Sequence, residues 1–450
     1  MPEPPSGPDP PPVRAESLFL TPFEELMHEL HSVDRPMAFM IRLHFDGRFE
    51  IEACRKAVFA TFSHHSLTRS RVAGRSPGLF WEVVRDPAVS VEEGDPPAIA
   101  FSSTTLEDGP GVVVRVTIGP QRSLLDIELH HAVSDGRGAL ALLRDFLTEY
   151  ARAVGTDIPP VDRDQEMLRS RGHFGLSLPS FLSEAPRQLL GLIGIRRAVM
   201  RHPVRVRGAI DPAKVPVPDA PGPEVPRVFF HRFDPNTTNL IARAARAKGA
   251  TTNHVLVTTI YEAIVAWRAR QGENADGSWI RVAAPFDLRT LEQLERLPAA
   301  NVMSLVFLDR RARSVLQPDR LLISIRNEMG LIRAWRLALT FVLALAALRP
   351  FSGLRRRLMK LRATAFATNL GRIVPTSPTG KVAAGGVTLD RVDAFVPLLP
   401  DTPLSFGFYQ YGGELNVTLR YDPEVFTDSD ARDFFDRYLA RVSATARPDS

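Results

Sequence analysis

Apolar residues dominate positions 112–118, most of them β-branched, and alternate with acids over 125–129, and the turn-forming stretch Gly119-Pro120-Gln121-Arg122 lies between the two runs, which predicts two strands. The period then changes. Leu140, Leu143, Leu147 and Tyr150 recur at helical spacing, which predicts a helix over 136–150. Earlier in the chain the same reading places strands at 37–45 and 79–84 and a helix over 50–62. Later it places strands at 228–233, 279–284, 302–308, 404–409 and 414–420. Helices are predicted over 237–248, where Gly249 suits a C-terminal cap, and from Thr252 through Trp267. Phe434, Phe435, Tyr438 and Val442 mark a closing helix. Strands and helices mix in two blocks, which predicts an α/β fold of two lobes.

Between the blocks the pattern breaks down. Prolines from Pro159 to Pro226 interrupt it, apart from an apolar insert over 189–200 that suits a short helix. The expected organisation is a tail over 1–16, a first lobe over 17–155, a connector over 156–226 and a second lobe over 227–445. The tail is rich in proline and acidic residues, which predicts disorder and not a signal peptide. No eighteen uncharged apolar residues run together. The nearest approach is 337–348, between Arg336 and Arg349, and its length predicts a buried helix.

The loop between strand 124–129 and helix 136–150 reads His130-His131-Ala132-Val133-Ser134-Asp135-Gly136. A strand-to-helix loop holds functional side chains on a rigid scaffold. A neutral imidazole is a free base near pH 7, suited to taking a proton from a weak nucleophile. A nearby carboxylate braces such a loop or fixes the tautomer without accepting the proton itself. Glycine after the aspartate permits a tight path into the helix.

This loop resembles the His-His-x-x-x-Asp-Gly signature of the coenzyme-A-dependent acyltransferase superfamily. That group includes chloramphenicol acetyltransferase, condensation domains, plant and polyketide-associated acyltransferases, and wax ester synthases. Further elements follow in the family's order: His64-His65 through Arg71, Gly249-Ala250-Thr251-Thr252-Asn253-His254, Pro285-Phe286-Asp287-Leu288-Arg289, and Thr368-Asn369-Leu370-Gly371. His254 stands where the family usually has Asp. The resemblance spans roughly residues 17 to 445. It implies two chloramphenicol-acetyltransferase-like lobes with mixed sheets and a tunnel at their interface.

The resemblance also implies roles. His131 would be the general base that lets an alcohol or amine attack a thioester, with His130 supporting the loop and Asp135 and Gly136 shaping it. Arg289 matches the family's arginine that pairs with the signature aspartate across the lobes; read alone, it is equally an arginine at a strand end. Thr368, Asn369 and Ser405 are candidate oxyanion or acceptor contacts. Acyl-CoA is the expected co-substrate, with no permanently bound cofactor, and an acyl carrier protein is the alternative donor. An amide-forming condensation domain and a non-catalytic binding or scaffolding module are the rival readings.

The chain has 450 residues, 44% of them hydrophobic and 24% charged, enough for a large core. Its net charge of +5 suits an anionic partner, but no nucleic-acid recognition motif is present. Arg349, Arg355, Arg356, Arg357, Lys360 and Arg362 cluster beside the apolar run 337–348. Arg355, Arg356, Arg357 and Lys360 are candidates for coenzyme A phosphates; anionic lipid or plain solvation are the other readings. The single cysteine, Cys54, cannot form an internal disulfide and reads as a buried structural thiol. His28 and His31 lack the spacing of a zinc helix, and no metal site is expected. The expected setting is cytoplasmic, with contact at a membrane surface left open by the basic cluster.

Overall fold

The computed structural model describes residues 18–32, 35–76, 78–84, 86–95, 99–102, 105–174, 178–210, 227–273, 277–359, 362–373 and 380–446. The expected tail over 1–16 lies outside them, as does part of the connector. Two six-stranded mixed sheets organise the chain. In the first, strand Ala38–Asp46 lies between Val387–Phe395 and Arg122–His130, followed outward by Val112–Ile118 and Ala88–Glu93. In the second, Ala365–Arg372 runs parallel to its neighbours Trp279–Asp287 and Leu404–Tyr411. Met303–Arg311 and Val228–Phe233 form the edges of that sheet.

The apolar faces of both sheets are covered by helices. Gly136–Ala153 and Ile51–Ser63 pack on the first. Thr252–Arg270 and Asp428–Ala444 pack together on the second, with Val255, Ile260, Phe434 and Tyr438 buried. Cys54 is fully buried, and burial pushes its thiol pKa up to about 12, which suits an inert structural group.

The hairpin formed by Ala383–Ala384 and Val387–Phe395 follows the second lobe's strand Ala365–Arg372 in sequence, yet it joins the first lobe's sheet. The period-two reading passes over Val387–Phe395 because a register shift between Leu389 and Arg391 breaks the alternation. The chain thus crosses between lobes a second time.

The helix expected over 189–200 extends back to Leu178, through Pro179 and Pro186. It packs on helix Leu339–Ala347, the centre of the apolar run 337–348. Gly191 makes the approach close, since a Cβ there would overlap Thr340. Thr340 in turn donates to Gln188 at 2.7 Å. Leu339, Phe341, Val342 and Leu345 are buried, so this run is core and is not available to lie on a lipid surface. Among the described residues no single helix is long and apolar enough to cross a membrane.

Candidate functional site

The loop is held first by its own lobe. His130 ends strand Arg122–His130, and its backbone N–H donates to the Gly111 carbonyl at 2.7 Å. The His131 N–H donates to the Met37 carbonyl, also at 2.7 Å. Asp135 then caps helix Gly136–Ala153, accepting at 3.0 Å from the N–H groups of Arg137 and Gly138.

The second lobe reaches the first through four consecutive residues, 299–302, the last three of which meet the loop. Ala299 N–H donates to His65 Nδ1 at 2.7 Å, and the Ala300 carbonyl accepts from Asp135 N–H at 3.2 Å. Asn301 Nδ2 donates to the His131 carbonyl at 2.5 Å, and Val302 N–H donates to Asp135 Oδ2 at 2.9 Å. Arg289 follows strand Trp279–Asp287 and meets Asp135 with both guanidinium arms, at 2.8 and 3.0 Å. It also donates to the Ala300 carbonyl at 2.8 Å. Burial alone would raise the Asp135 pKa, but the Arg289 charge and the backbone donors outweigh it and hold the carboxyl below its ordinary value. Burial opposes the charged form of Arg289 too, and Asp135 and Asp287 reverse the effect and raise its pKa.

The two histidines differ in what they leave free. His130 Nδ1 accepts from Ala132 N–H at 3.1 Å, and its Nε2 lies 3.1 Å from His31 Nδ1. Both ring nitrogens are therefore engaged. Burial and the neighbouring imidazoles keep the His130 pKa well below that of a free imidazole. His131 is also buried, and burial lowers its pKa, opposed by the Asp135 charge and by a hydrogen bond to its own backbone. Its ring lines a cavity of about 740 Å³ between the lobes, and Nε2 has no protein partner among the described residues.

Thr368 and Asn369 lie on the same cavity wall as His131 and Gly136. The Asn369 side chain is committed to a turn: it donates to Asn253 at 2.9 Å and accepts from Gly371 N–H at 2.7 Å. Ser405 is buried in strand Leu404–Tyr411, off this cavity, with no hydrogen-bond partner for its hydroxyl among the described residues. Arg355 is buried against Glu25 at 3.1 Å and Glu29 at 2.8 Å, and neither it nor the exposed Arg357 lines the cavity. Lys360 and the side chain of Arg356 lie outside the described residues. Arg355 is thus engaged by two carboxylates away from the cavity, one of them, Glu25, shared with Arg349. Besides Arg289, the cations that reach the cavity are Arg137, Arg333 and Arg336, which no sequence pattern marks out. Asn301 was also missed; its signal is a lone amide in the apolar stretch Leu297 to Met303.

Comparison with known proteins places this geometry. No family model matches the chain. An uncharacterized protein of Mycobacterium tuberculosis (strain H37Rv) is 25% identical over 437 residues, covering 90% of this chain and 94% of that protein. The first condensation domain of the calcium-dependent antibiotic synthetase superposes with a TM-score of 0.68 at 16% identity, covering 96% of this chain and 97% of that one. Trichothecene 15-O-acetyltransferase from Fusarium sporotrichioides superposes at 0.69 and 10% identity, covering 95% of each chain. The chain has the fold shared by these condensation and acetyltransferase structures. The starter condensation domain of rhizomide synthetase, solved with C8-CoA and Leu-SNAC, shares this fold at a TM-score of 0.65 and 14% identity, covering 96% of this chain and 95% of that one. In this fold the loop 130–136 and the segment 299–302 meet at the wall of the interlobe cavity.

Proposed function

We propose that this protein transfers an acyl group from a thioester to a hydroxyl or amine acceptor, with His131 as the general base. The observation that carries the reading is the unequal state of the two ring nitrogens of His131. Nδ1 lies against the loop backbone and the Asn301 amide, whereas Nε2 has no protein partner among the described residues. The Asn301 amide, 3.3 Å from Nδ1, is already donating to the His131 carbonyl and steadies the ring. With the hydrogen on Nδ1, Nε2 would present its lone pair to the space a substrate fills, since the ring lines the cavity. His130 has no such lone pair to offer.

In this reading His131 Nε2 takes the proton of the acceptor O–H or N–H as the acceptor attacks the thioester carbonyl carbon. The new C–O or C–N bond forms, the C–S bond breaks, and the imidazolium returns the proton to the thiolate. No covalent enzyme intermediate is required. Thr368, on the cavity wall, is the candidate donor to the developing oxyanion. Asp135 positions the loop and keeps its negative charge beside the imidazolium that forms.

The donor is acyl-CoA or a carrier-bound acyl group. Arg137, Arg333 and Arg336 give the cavity a cationic rim that suits a phosphate-bearing thioester. A solved protein of the same fold holds C8-CoA, which supports the class of donor. Thiol release from a panel of acyl-CoA and acyl-pantetheine thioesters, with simple alcohols and amines as acceptors, tests the reading. Acceptor-dependent release that His131→Ala lowers by ~10²–10⁴-fold is the expected result. No release from any thioester would overturn it.

A further inference from the structure

Two histidines that stand out in the sequence, His28 and His31, have no part in the acyl-transfer reading, and the structure sends them in different directions. His28, in the last turn of helix Pro22–Glu29, meets Glu107 at 2.7 Å. His31 follows the helix and meets the histidine loop, its ring centroid 4.8 Å from that of His130. Among the described residues no group of His, Cys, Asp or Glu side chains could hold a metal ion, so the contact with the loop is the feature to explain.

One atom of His31 makes that contact. Met37 N–H donates to His31 Nδ1 at 3.3 Å, and His130 Nε2 lies 3.1 Å from the same nitrogen. A backbone N–H can only donate, so Nδ1 of His31 is an acceptor and its ring hydrogen sits on Nε2. The same reasoning applies to His130, whose Nδ1 accepts from Ala132 N–H at 3.1 Å and whose hydrogen therefore sits on Nε2, facing His31. His130 is thus the donor and His31 the acceptor. Burial lowers the pKa of His31 against the pull of Glu107, and it lowers that of His130 further, so both rings favour the neutral form this bond needs.

His31 also reaches His131, by a second route. Met37, whose N–H is held by His31, accepts at its carbonyl from His131 N–H at 2.7 Å. Further along the same strand, Phe39 packs against the His131 ring, with centroids 5.1 Å apart. A single nitrogen therefore braces the side chain of one loop histidine and, through Met37, the backbone of the other. The helix that carries this brace is itself anchored: Arg171 meets Glu24 at 2.7 Å, Arg349 meets Glu25 at 2.9 Å, and Arg355 meets Glu29 at 2.8 Å. Nε2 of His31, by contrast, is buried with no partner among the described residues. A side chain that served packing alone would not carry the cost of that unmatched N–H.

We propose that His31 is a positioning residue, whose Nδ1 holds both loop histidines in place for the proton transfer at His131 Nε2. The inference rests on the acyl-transfer reading for the step it serves. His31 does not line the interlobe cavity, so it acts through His130 and Met37 and not on a substrate.

The test compares His31→Asn with His31→Gln in the full-length protein. An asparagine amide oxygen falls near the place of histidine Nδ1, whereas a glutamine amide reaches to that of Nε2. In His31→Gln, kcat for thiol release should fall ~10–10²-fold, the worth of a ~1 Å misplacement, with KM for donor and acceptor unchanged. His31→Asn should restore most of the loss. Packing alone predicts the reverse order, because glutamine is closer to histidine in volume, so equal or reversed kcat values overturn the proposal. Melting temperatures check that both variants fold. If His31→Gln does not, His31→Asn decides by itself: near-wild-type kcat supports the proposal and a tenfold loss overturns it. A second readout needs no turnover. The His130 Nε2 proton, hydrogen-bonded to an imidazole nitrogen and shielded from exchange, should give a downfield NMR resonance that His130→Gln removes. It should persist in His31→Asn and shift or vanish in His31→Gln; an unaltered resonance in His31→Gln overturns the proposal. The expected resonances in a protein that turns over no thioester would overturn the acyl-transfer reading and leave the bracing of the loop by His31 standing.

Discussion

Asp135 and Arg289 face each other across the two lobes, joined by two hydrogen bonds of 2.8 and 3.0 Å with both side chains almost wholly buried. The carboxylate that caps the helix after the histidine loop is therefore the same one that ties the loop to the other lobe. Neither charge has water to fall back on, so removing either partner strands the other. Asp135→Ala and Arg289→Ala should each cost ~3–5 kcal/mol of stability, measured by urea unfolding. A double-mutant cycle should show strong coupling; additive losses would mean the pair does not hold the lobes together.

His131→Ala should behave differently. Its ring makes no charge-paired contact, so the variant should fold with little change in melting temperature while thiol release falls by ~10²–10⁴-fold. Replacing His130, which supports the loop through Ala132 and His31, should lower activity less and stability more. Equal activity losses with unchanged stability would contradict this division of labour.

Acid should weaken the protein through its buried imidazoles. His65, His130 and His131 all have pKa values lowered by burial from the ordinary 6.5. An unfolded chain takes up protons near that value while the folded chain resists them, so stability is full above ~6.5 and falls as the pH drops below it. Melting temperature should decline between pH 7.5 and 5. His130→Gln should flatten that decline, and a wild-type profile with no slope there would refute the argument. Because His131 is held neutral, the acid limb of kcat/KM should lie below the ordinary imidazole range.

Gly138 lies where the lobes approach closely. A Cβ there would overlap the Ser134 hydroxyl and stand 3.0 Å from the Ala300 backbone. Gly138→Val should destabilise by ~1–3 kcal/mol and disturb the donation from Val302 to Asp135. Unchanged unfolding and unchanged activity in this variant would show that the segment 299–302 tolerates displacement.

Arg333 and Arg336 are cavity cations without an ion-pair partner among the described residues, and Arg336 already donates to the Phe174 carbonyl at 2.6 Å. If Arg333 meets the phosphates of the donor, Arg333→Gln should raise KM for acyl-CoA severalfold and leave KM for an acyl-pantetheine, which lacks the nucleotide phosphates, unaltered. Arg357→Gln, off the cavity, should change neither. A parallel rise for both thioesters would assign Arg333 to another task.

What the sequence by itself determined is local. Strand, loop and helix around 122–153 follow from residue period and from the cap at Asp135, signals written within a few neighbours of each residue. The same is true of the two-block α/β pattern and of the buried run 337–348, whose length and composition favour core over membrane. What only the tertiary structure decided involves partners far apart in the chain. Arg289 meets Asp135 across 154 positions, and no local pattern distinguishes that arginine from a solvated one. Arg355 stands in a basic run that reads as open surface, yet helix Pro22–Glu29 brings Glu25 and Glu29 against it. Strand Val387–Phe395 changes lobes because its edge pairs with Ala38–Asp46, a match of register that alternation broken by a bulge conceals. Asn301 becomes legible only once its segment docks on the His131 carbonyl. Periodicity reports which face of an element is apolar; it does not report what that face or its charges will meet, because that is settled by packing between distant segments.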